Sequence, residues 1–213
     1  MHTLVLVGHP NSNSFNAALA ESYAQGIRAT GRDAEVLYLS NLEFDPILHL
    51  GHSKEQPLEP DLVSARDKIA AADHLFVVTP VWWGSSPALL KGFIDRVFLP
   101  GWAFAYEEGA MLQTKLLAGR SARVVLTMDA PSWYYRWFYG QPLHGSLIHA
   151  TLGFTGFSVG STTISQVRTL TADQREAWLG QMHRLAQRDV VPSLWNRLFG
   201  GGQRARKRLA SVP

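Results

Sequence analysis

The residues able to do chemistry in this chain gather in three short segments, each directly after an apolar run. The first is Gly8-His9-Pro10-Asn11-Ser12-Asn13-Ser14-Phe15-Asn16. It leaves a β-rich run over residues 3–7 and opens a helical pattern. Backbone N–H groups at a helix start are unpaired and sit at the positive end of the helix dipole, so such a loop suits a phosphate. The hydroxyl and amide groups of Ser12, Ser14 and Asn16 add polar partners, and His9 stands on the same loop. Plain helix capping by Ser and Asn accounts for the same residue types. The segment is neither a Walker loop nor a Gly-x-Gly-x-x-Gly fingerprint.

The second segment is Pro80-Val81-Trp82-Trp83-Gly84-Ser85-Ser86-Pro87. Two adjacent tryptophans just past a buried strand cannot both point into the core. At least one belongs at the mouth of a site, where a flat ring can meet a flat ligand and loop N–H groups can meet ring carbonyls. The bland alternative is that both cap the end of a sheet. The third segment runs from Asp129 through Ser132-Trp133-Tyr134-Tyr135 to His144. Tyr and His beside a ring could stabilise negative charge that develops on reduction. A loop this rich in Trp and Tyr could equally form a dimer interface.

These segments are placed by the elements around them. Strands are expected over 3–7, 34–39, 74–79, 122–128 and 156–163. Helices are expected from a Ser14 or Asn13 cap to about 29, over 61–72, 88–98 and 144–152, and over 171–187 after Thr171. Residues 46–60 read as irregular, 100–119 as an aromatic-rich excursion and 129–141 as a loop. Strands alternating with helices imply βαβ units and a parallel sheet covered on both faces. The fold class is α/β: a flavodoxin-like, five-stranded parallel sheet with helices on both faces. Ligands in such a sheet bind at the carboxyl ends of the strands, where the strand order reverses. All three segments fall there.

Composition sets the outer bounds. The 213 residues are 46% hydrophobic and 17% charged, enough apolar material for one full core. The absence of cysteine excludes disulfides, thiolate catalysis and cysteine-based metal sites. No metal site is expected; His49-Leu50-Gly51-His52 is too isolated and reads as a loop. The formal charge of +3 is uneven. Arg197, Arg204, Arg206, Lys207 and Arg208 face no acid after residue 190, and without them 15 basic residues meet 17 acidic ones, a body of −2. The reading is a domain over 1–190 and a basic, glycine-containing tail over 191–213. That distribution argues against a nucleic-acid-binding face. A body so weakly acidic also argues against a one-electron carrier, which usually needs strong charge to meet basic partners. No Gly-x-Ser-x-Gly elbow supports a hydrolase. No signal peptide or membrane span is expected, so the cytoplasm is the expected location.

Two stretches also resemble a known family. They are His9-Pro-Asn-Ser-Asn-Ser-Phe-Asn16 and Pro80-Val-Trp-Trp-Gly-Ser-Ser-Pro-Ala-Leu-Leu-Lys-Gly-Phe-Ile-Asp-Arg-Val-Phe98, continued by Gly101-Trp-Ala-Phe-Ala-Tyr106. They are similar to the NAD(P)H:quinone oxidoreductases of flavodoxin-like fold, of the bacterial NAD(P)H dehydrogenase (quinone) type, over about residues 3–184. The resemblance implies a flavin across the three loops. His9, Ser14, Phe15 and Asn16 would hold its phosphate and ribityl part. Val81, Trp82, Trp83 and Gly84 would hold the ring system, with Thr127 and Met128 opening the third loop. Arg175 would stand near the adenine of FAD, and Phe104 and Tyr106 would cover the substrate across a homodimer interface. The family's Tyr and His that assist hydride transfer align with Trp133 or Tyr134, and with His144. The third loop departs from the animal enzymes: Thr127-Met128-Asp129-Ala130 stands where they have Thr-Thr-Gly-Gly. The insertion before the second helix is shorter, which leaves FMN as an alternative to FAD. The implied activity is two-electron reduction of a quinone or similar acceptor by NADPH or NADH. Some relatives instead regulate membrane transporters, and a basic tail would suit such docking.

Overall fold

The computed structural model describes residues 1–51, 54–109 and 111–190. The expected tail over 191–213 and His52 lie outside the described residues.

Five strands, β1 (His2–Val7), β2 (Asp33–Tyr38), β3 (His74–Pro80), β6 (Ser121–Thr127) and β7 (Ser158–Ile164), form one sheet in the order β2-β1-β3-β6-β7. Every pairing is parallel. The central strand β3 is buried at all its positions, which explains why its sequence is an unbroken apolar run with no alternation. Side chains still alternate between the faces. Val5, Val7, Phe76 and Val78 pack with α1 (Phe15–Arg28) and α5 (Ala172–Asp189). Leu4, Leu6, Leu75 and Val77 pack with α2 (Pro60–Ala71), α3 (Ala88–Val97) and the segment 143–152. The expected fold class is the observed one.

Local chemistry sets the helix ends. Ser14 accepts from Ala17 N–H and caps α1. Thr171 and Gln174 form a reciprocal capping box that starts α5. Among the described residues of the stretch expected to be irregular, 46–60, only Pro60 lies in a helix or strand, and α3 holds the stretch in place. A Cβ at Gly92 would lie 2.4 Å from Pro46, so only glycine permits this approach. One turn further on, the fully buried Arg96 donates to the Pro57 carbonyl and to Glu59, both at 2.8 Å.

Three expectations need refinement. The stretch 129–141 is not all loop: α4 (Ser132–Trp137) forms within it. The excursion 100–119 holds a short antiparallel ribbon of β4 (Phe104–Ala105) and β5 (Thr114–Lys115). The helix expected over 144–152 is present but has π geometry over His144–Gly153.

At the amino-terminal edge of the sheet, away from the loops of interest, a chain of polar groups is buried. Ser121 Oγ lies 2.8 Å from His74 Nδ1, and His74 Nε2 lies 2.8 Å from Tyr23 Oη. The Tyr23 hydroxyl donates to Asp189 at 2.8 Å, and Arg123 donates to the same carboxylate. The chain is satisfied by a neutral His74 that donates from Nε2 and accepts at Nδ1. Burial above all lowers the His74 imidazole to about 4 from its ordinary 6.5; nearby Asp189 opposes this and Arg123 adds to it. Between these values the unfolded chain binds the proton and the folded chain does not. The contribution to stability is therefore complete above pH 6.5 and is lost as pH falls toward 4, by about 3 kcal/mol in all. Urea unfolding at stepped pH should show stability falling below pH 6.5, and a His74→Gln variant should show a shallower fall.

Candidate functional site

The strand order reverses between β1, which continues to β2 on one side, and β3 on the other. At the carboxyl ends of these strands lies a cleft of about 180 Å³. Eight residues named from the sequence line it: His9, Ser14, Phe15 and Asn16 from the first loop, Val81 and Trp82 from the second, Thr127 and Met128 from the end of β6. Pro80, Asp129 and Val167 complete the wall.

The first loop is built to receive an anion. No acidic residue occupies the first turn of α1, so no charge on the helix itself cancels its positive end. Asn16 is buried at 3% exposure, and its Oδ1 accepts from the Thr127 hydroxyl at 2.8 Å. That bond fixes the amide, and its NH2 has no partner among the described residues. His9 Nδ1 lies 2.9 Å from Asn11 N and 3.1 Å from Asn11 O, so the loop backbone holds the ring in place. Burial lowers the His9 pKa and favours the neutral ring, opposed by the bond to the Asn11 backbone.

The loops are tied to one another by backbone. Val81 N–H donates to Thr127 O at 2.7 Å. Met128 N–H donates to Ile164 O at 2.9 Å, and Val167 N–H donates to Met128 O at 3.1 Å. The Asp129 carboxylate accepts from Arg168 N–H at 2.9 Å. Trp82 and Ser85 exchange backbone bonds of 2.8 and 2.9 Å across a two-residue turn. Trp83 and Gly84 occupy it with φ of 52° and 77°, the pattern of a type I′ turn. Glycine suits that position; tryptophan does not. The Trp83 ring stands fully in solvent, while Trp82 meets His9 edge-on at 5.6 Å.

The other residues named from the sequence stand outside this lining. Arg175 lies over the Phe15 ring at 5.1 Å and donates to Val167 O at 2.8 Å, which puts it behind the cleft wall. Phe104 is half-buried and meets Tyr106 at 5.5 Å and Phe154 at 5.0 Å, with Tyr106 largely exposed. Tyr134 on α4 stacks on Phe138 at 5.0 Å. His144 packs beside Tyr135; its Nε2 is 3.4 Å from Thr163 Oγ1 and its Nδ1 is buried without a partner. Burial, then the neighbouring His149, lowers its pKa. Pro80 and Asp129 open the second and third segments named from the sequence but had no role of their own there; Val167 was missed. Val167 lies just past β7, so applying the strand-end rule to a fourth loop would have found it.

This strand order, with a ligand cleft at the β1–β3 reversal, is that of flavodoxin-like proteins. The sequence pattern of the flavodoxin-like fold family matches residues 1–187. The chain belongs to that family. An uncharacterised NAD(P)H oxidoreductase of Haemophilus influenzae is 30% identical, the match covering 73% of this chain and 79% of that one. The ribosyldihydronicotinamide dehydrogenase (quinone) of Homo sapiens is 25% identical over 92% of this chain and 97% of its own. The crystal structure of the NAD(P)H:quinone oxidoreductase of Methanothermobacter marburgensis superposes with a TM-score of 0.73 at 25% identity, covering 88% of this chain and 98% of that one. Among the described residues no group of three or more His, Asp or Glu could hold a metal ion, and no helix is long and apolar enough to cross a membrane.

Trp83 gives a direct test of what the second loop is for. Its ring buries nothing within the chain, and its left-handed backbone costs about 1 kcal/mol relative to glycine. Trp83→Gly should therefore keep or raise the urea midpoint while it weakens whatever the cleft binds. A clear loss of stability would show that the ring is packed.

Proposed function

We propose that this flavodoxin-like protein is a flavin-dependent NAD(P)H oxidoreductase that reduces quinones or similar acceptors by two-electron hydride transfer. FAD is the preferred cofactor, FMN the alternative, and NADPH or NADH the reductant. The observation that supports it best is the meeting, at one cleft, of an anion-ready helix start, the buried Asn16–Thr127 pair and the backbone-lined Trp82 loop. The named relatives are NAD(P)H and quinone oxidoreductases, which agrees.

The cleft fits such a cofactor. Its donors are neutral N–H and amide groups, as a phosphate at a helix start requires. Its second wall, Val81 to Gly84, offers main chain and indole to a flat ring. When bound, the flavin supplies the hydride chemistry. The chain's own residues do the rest. Ser14, Phe15 and Asn16 bind the phosphate end, and His9 lines the same region with its ring. Thr127 orients Asn16. Val81, Trp82, Trp83, Gly84 and Met128 hold the ring in place. Arg175 braces Phe15 and stands ready for the far end of a dinucleotide. Phe104 and Tyr106 exclude water from the acceptor. Tyr134 and His144 hold protons near the reacting face.

Phe104, Tyr106, Tyr134 and His144 reach the cleft in a homodimer, each lent to the other subunit or brought in by its contact. The exposed rings of Tyr106, Trp133, Trp137, Phe138 and Tyr139 support that assembly, since a monomer rarely shows so much apolar surface in one region. The cysteine-free sequence agrees with a reducing compartment, and the cytoplasm is the location proposed.

The test begins with the purified chain. It should be yellow, or turn yellow on incubation with FAD or FMN, and heating should release a flavin of defined mass. A chain that stays colourless with both would overturn the reading. Thr127→Val should weaken flavin binding roughly five- to tenfold, the worth of one hydrogen bond. With NAD(P)H and a quinone, cytochrome c should not be reduced directly; stoichiometric reduction insensitive to superoxide dismutase would exclude two-electron transfer.

A further inference from the structure

A second cavity, of about 300 Å³, lies between α2, the described residues of 48–51 and 54–58, and the chain leaving α3. It shares no lining residue with the cleft. Its volume is at the lower end of the ~300–1,000 Å³ of small-ligand pockets. Leu58, Leu99, Pro100 and Trp102 make an apolar wall, and Arg66 and Lys54 stand among them.

Arg66 is the unusual member. Its guanidinium lies 5.8 Å from the centre of the Trp102 ring, and it has no hydrogen bond or ion pair among the described residues. A half-buried arginine normally pairs with a carboxylate or carbonyl, because burying an unpaired charge is costly. Arg96, one helix away, has both kinds of partner. Lys54 is likewise in no ion pair, and neither is Glu55, the one acid in the lining. Two other atoms of this wall, Arg66 Nε and Gln56 Oε1, are buried without partners, so the wall is incompletely satisfied as it stands.

We infer that this cavity binds a small aromatic monocarboxylate, with its carboxylate on Arg66 and its ring against Trp102, Pro100 and Leu99. The charges select the class: two cations against one carboxylate leave +1, which suits a monoanion better than a phosphate dianion. The planar fork of Arg66 suits a carboxylate's two oxygens. The apolar wall favours a ring over a hydrated inorganic ion. The occupant would sit against the start of the segment that carries Phe104, since Gly101 N–H donates to Phe104 O at 2.8 Å. The inference stands on this cavity alone and does not need a flavin in the cleft.

The test is calorimetric titration of the full chain with 1-naphthoate at neutral pH. One saturable site per chain is expected. The neutral isostere 1-naphthylmethanol should bind at least about tenfold more weakly, and so should 1-naphthoate to Arg66→Met. Arg66→Lys should fall between wild type and Met, and Lys54→Ala should weaken binding about threefold. Saturating FMN should leave the naphthoate affinity unchanged. Circular dichroism and thermal midpoints separate folding from binding; if Arg66→Met does not fold, the Arg66→Lys and Lys54→Ala variants decide. Absence of saturable binding, equal affinity in the Arg66 or Lys54 variants, or displacement by FMN would overturn the inference. So would a sedimentation change in Arg66→Met with naphthoate binding intact, because Arg66 would then be neutralised by a second copy of the chain.

Discussion

The rest of the structure depends on the burial of a parallel sheet on both faces. Once α1 and α5 cover one face and α2, α3 and the 143–152 segment the other, only the strand ends remain open. At the carboxyl ends the chain must turn from strand to helix, and the first N–H groups of each helix have no partner within it. The reversal between β1 and β3 parts two such turns and makes room between them. The cleft is thus a consequence of strand order before any side chain is chosen.

Side chains then divide the two ends of the sheet by task. At the amino-terminal edge, Ser121, His74, Tyr23, Asp189 and Arg123 form a closed chain of bonds in which each buried group is answered. That cluster holds α1 and α5 to the strands. At the cleft, Asn16 has one bond from Thr127 and keeps an unspent NH2, while the start of α1 keeps its N–H groups. An amide fixed by one bond, with its NH2 left open at a cleft, can donate to an incoming polar group.

Much of this was legible in the sequence because the signals were local. The apolar run of β3, the Ser14 cap and the Thr171 capping box each follow from a few neighbouring residues. The loops after β1 and β3 could be named because strand and loop adjoin in the chain. What was missed depends on contacts between distant segments. Val167 joins the cleft only because β7 pairs with β6. The short α4 hides in an aromatic stretch with weak helix propensity. The π register of His144–Gly153 leaves no mark that a 3.6-residue period would detect. Tyr134 and His144 were named for their chemistry, yet in one chain each packs against its neighbours and away from the cleft.

The second loop shows how a local conflict points to function. A type I′ turn asks for Asn, Asp or Gly at its first central position, and this chain places tryptophan there. The strain is not repaid by packing, because the ring is fully in solvent. Trp82 beside it already closes the end of the sheet against His9, so a second indole is not needed for the fold. The same holds for Trp137, Phe138 and Tyr139, which stand exposed where polar residues would be cheaper to hydrate. An aromatic ring kept in an unfavourable backbone conformation and in water gains its stabilisation only when something covers it. The fold of a single chain therefore accounts for the cleft and leaves these rings uncovered, which is where the proposed flavin and second subunit would lie.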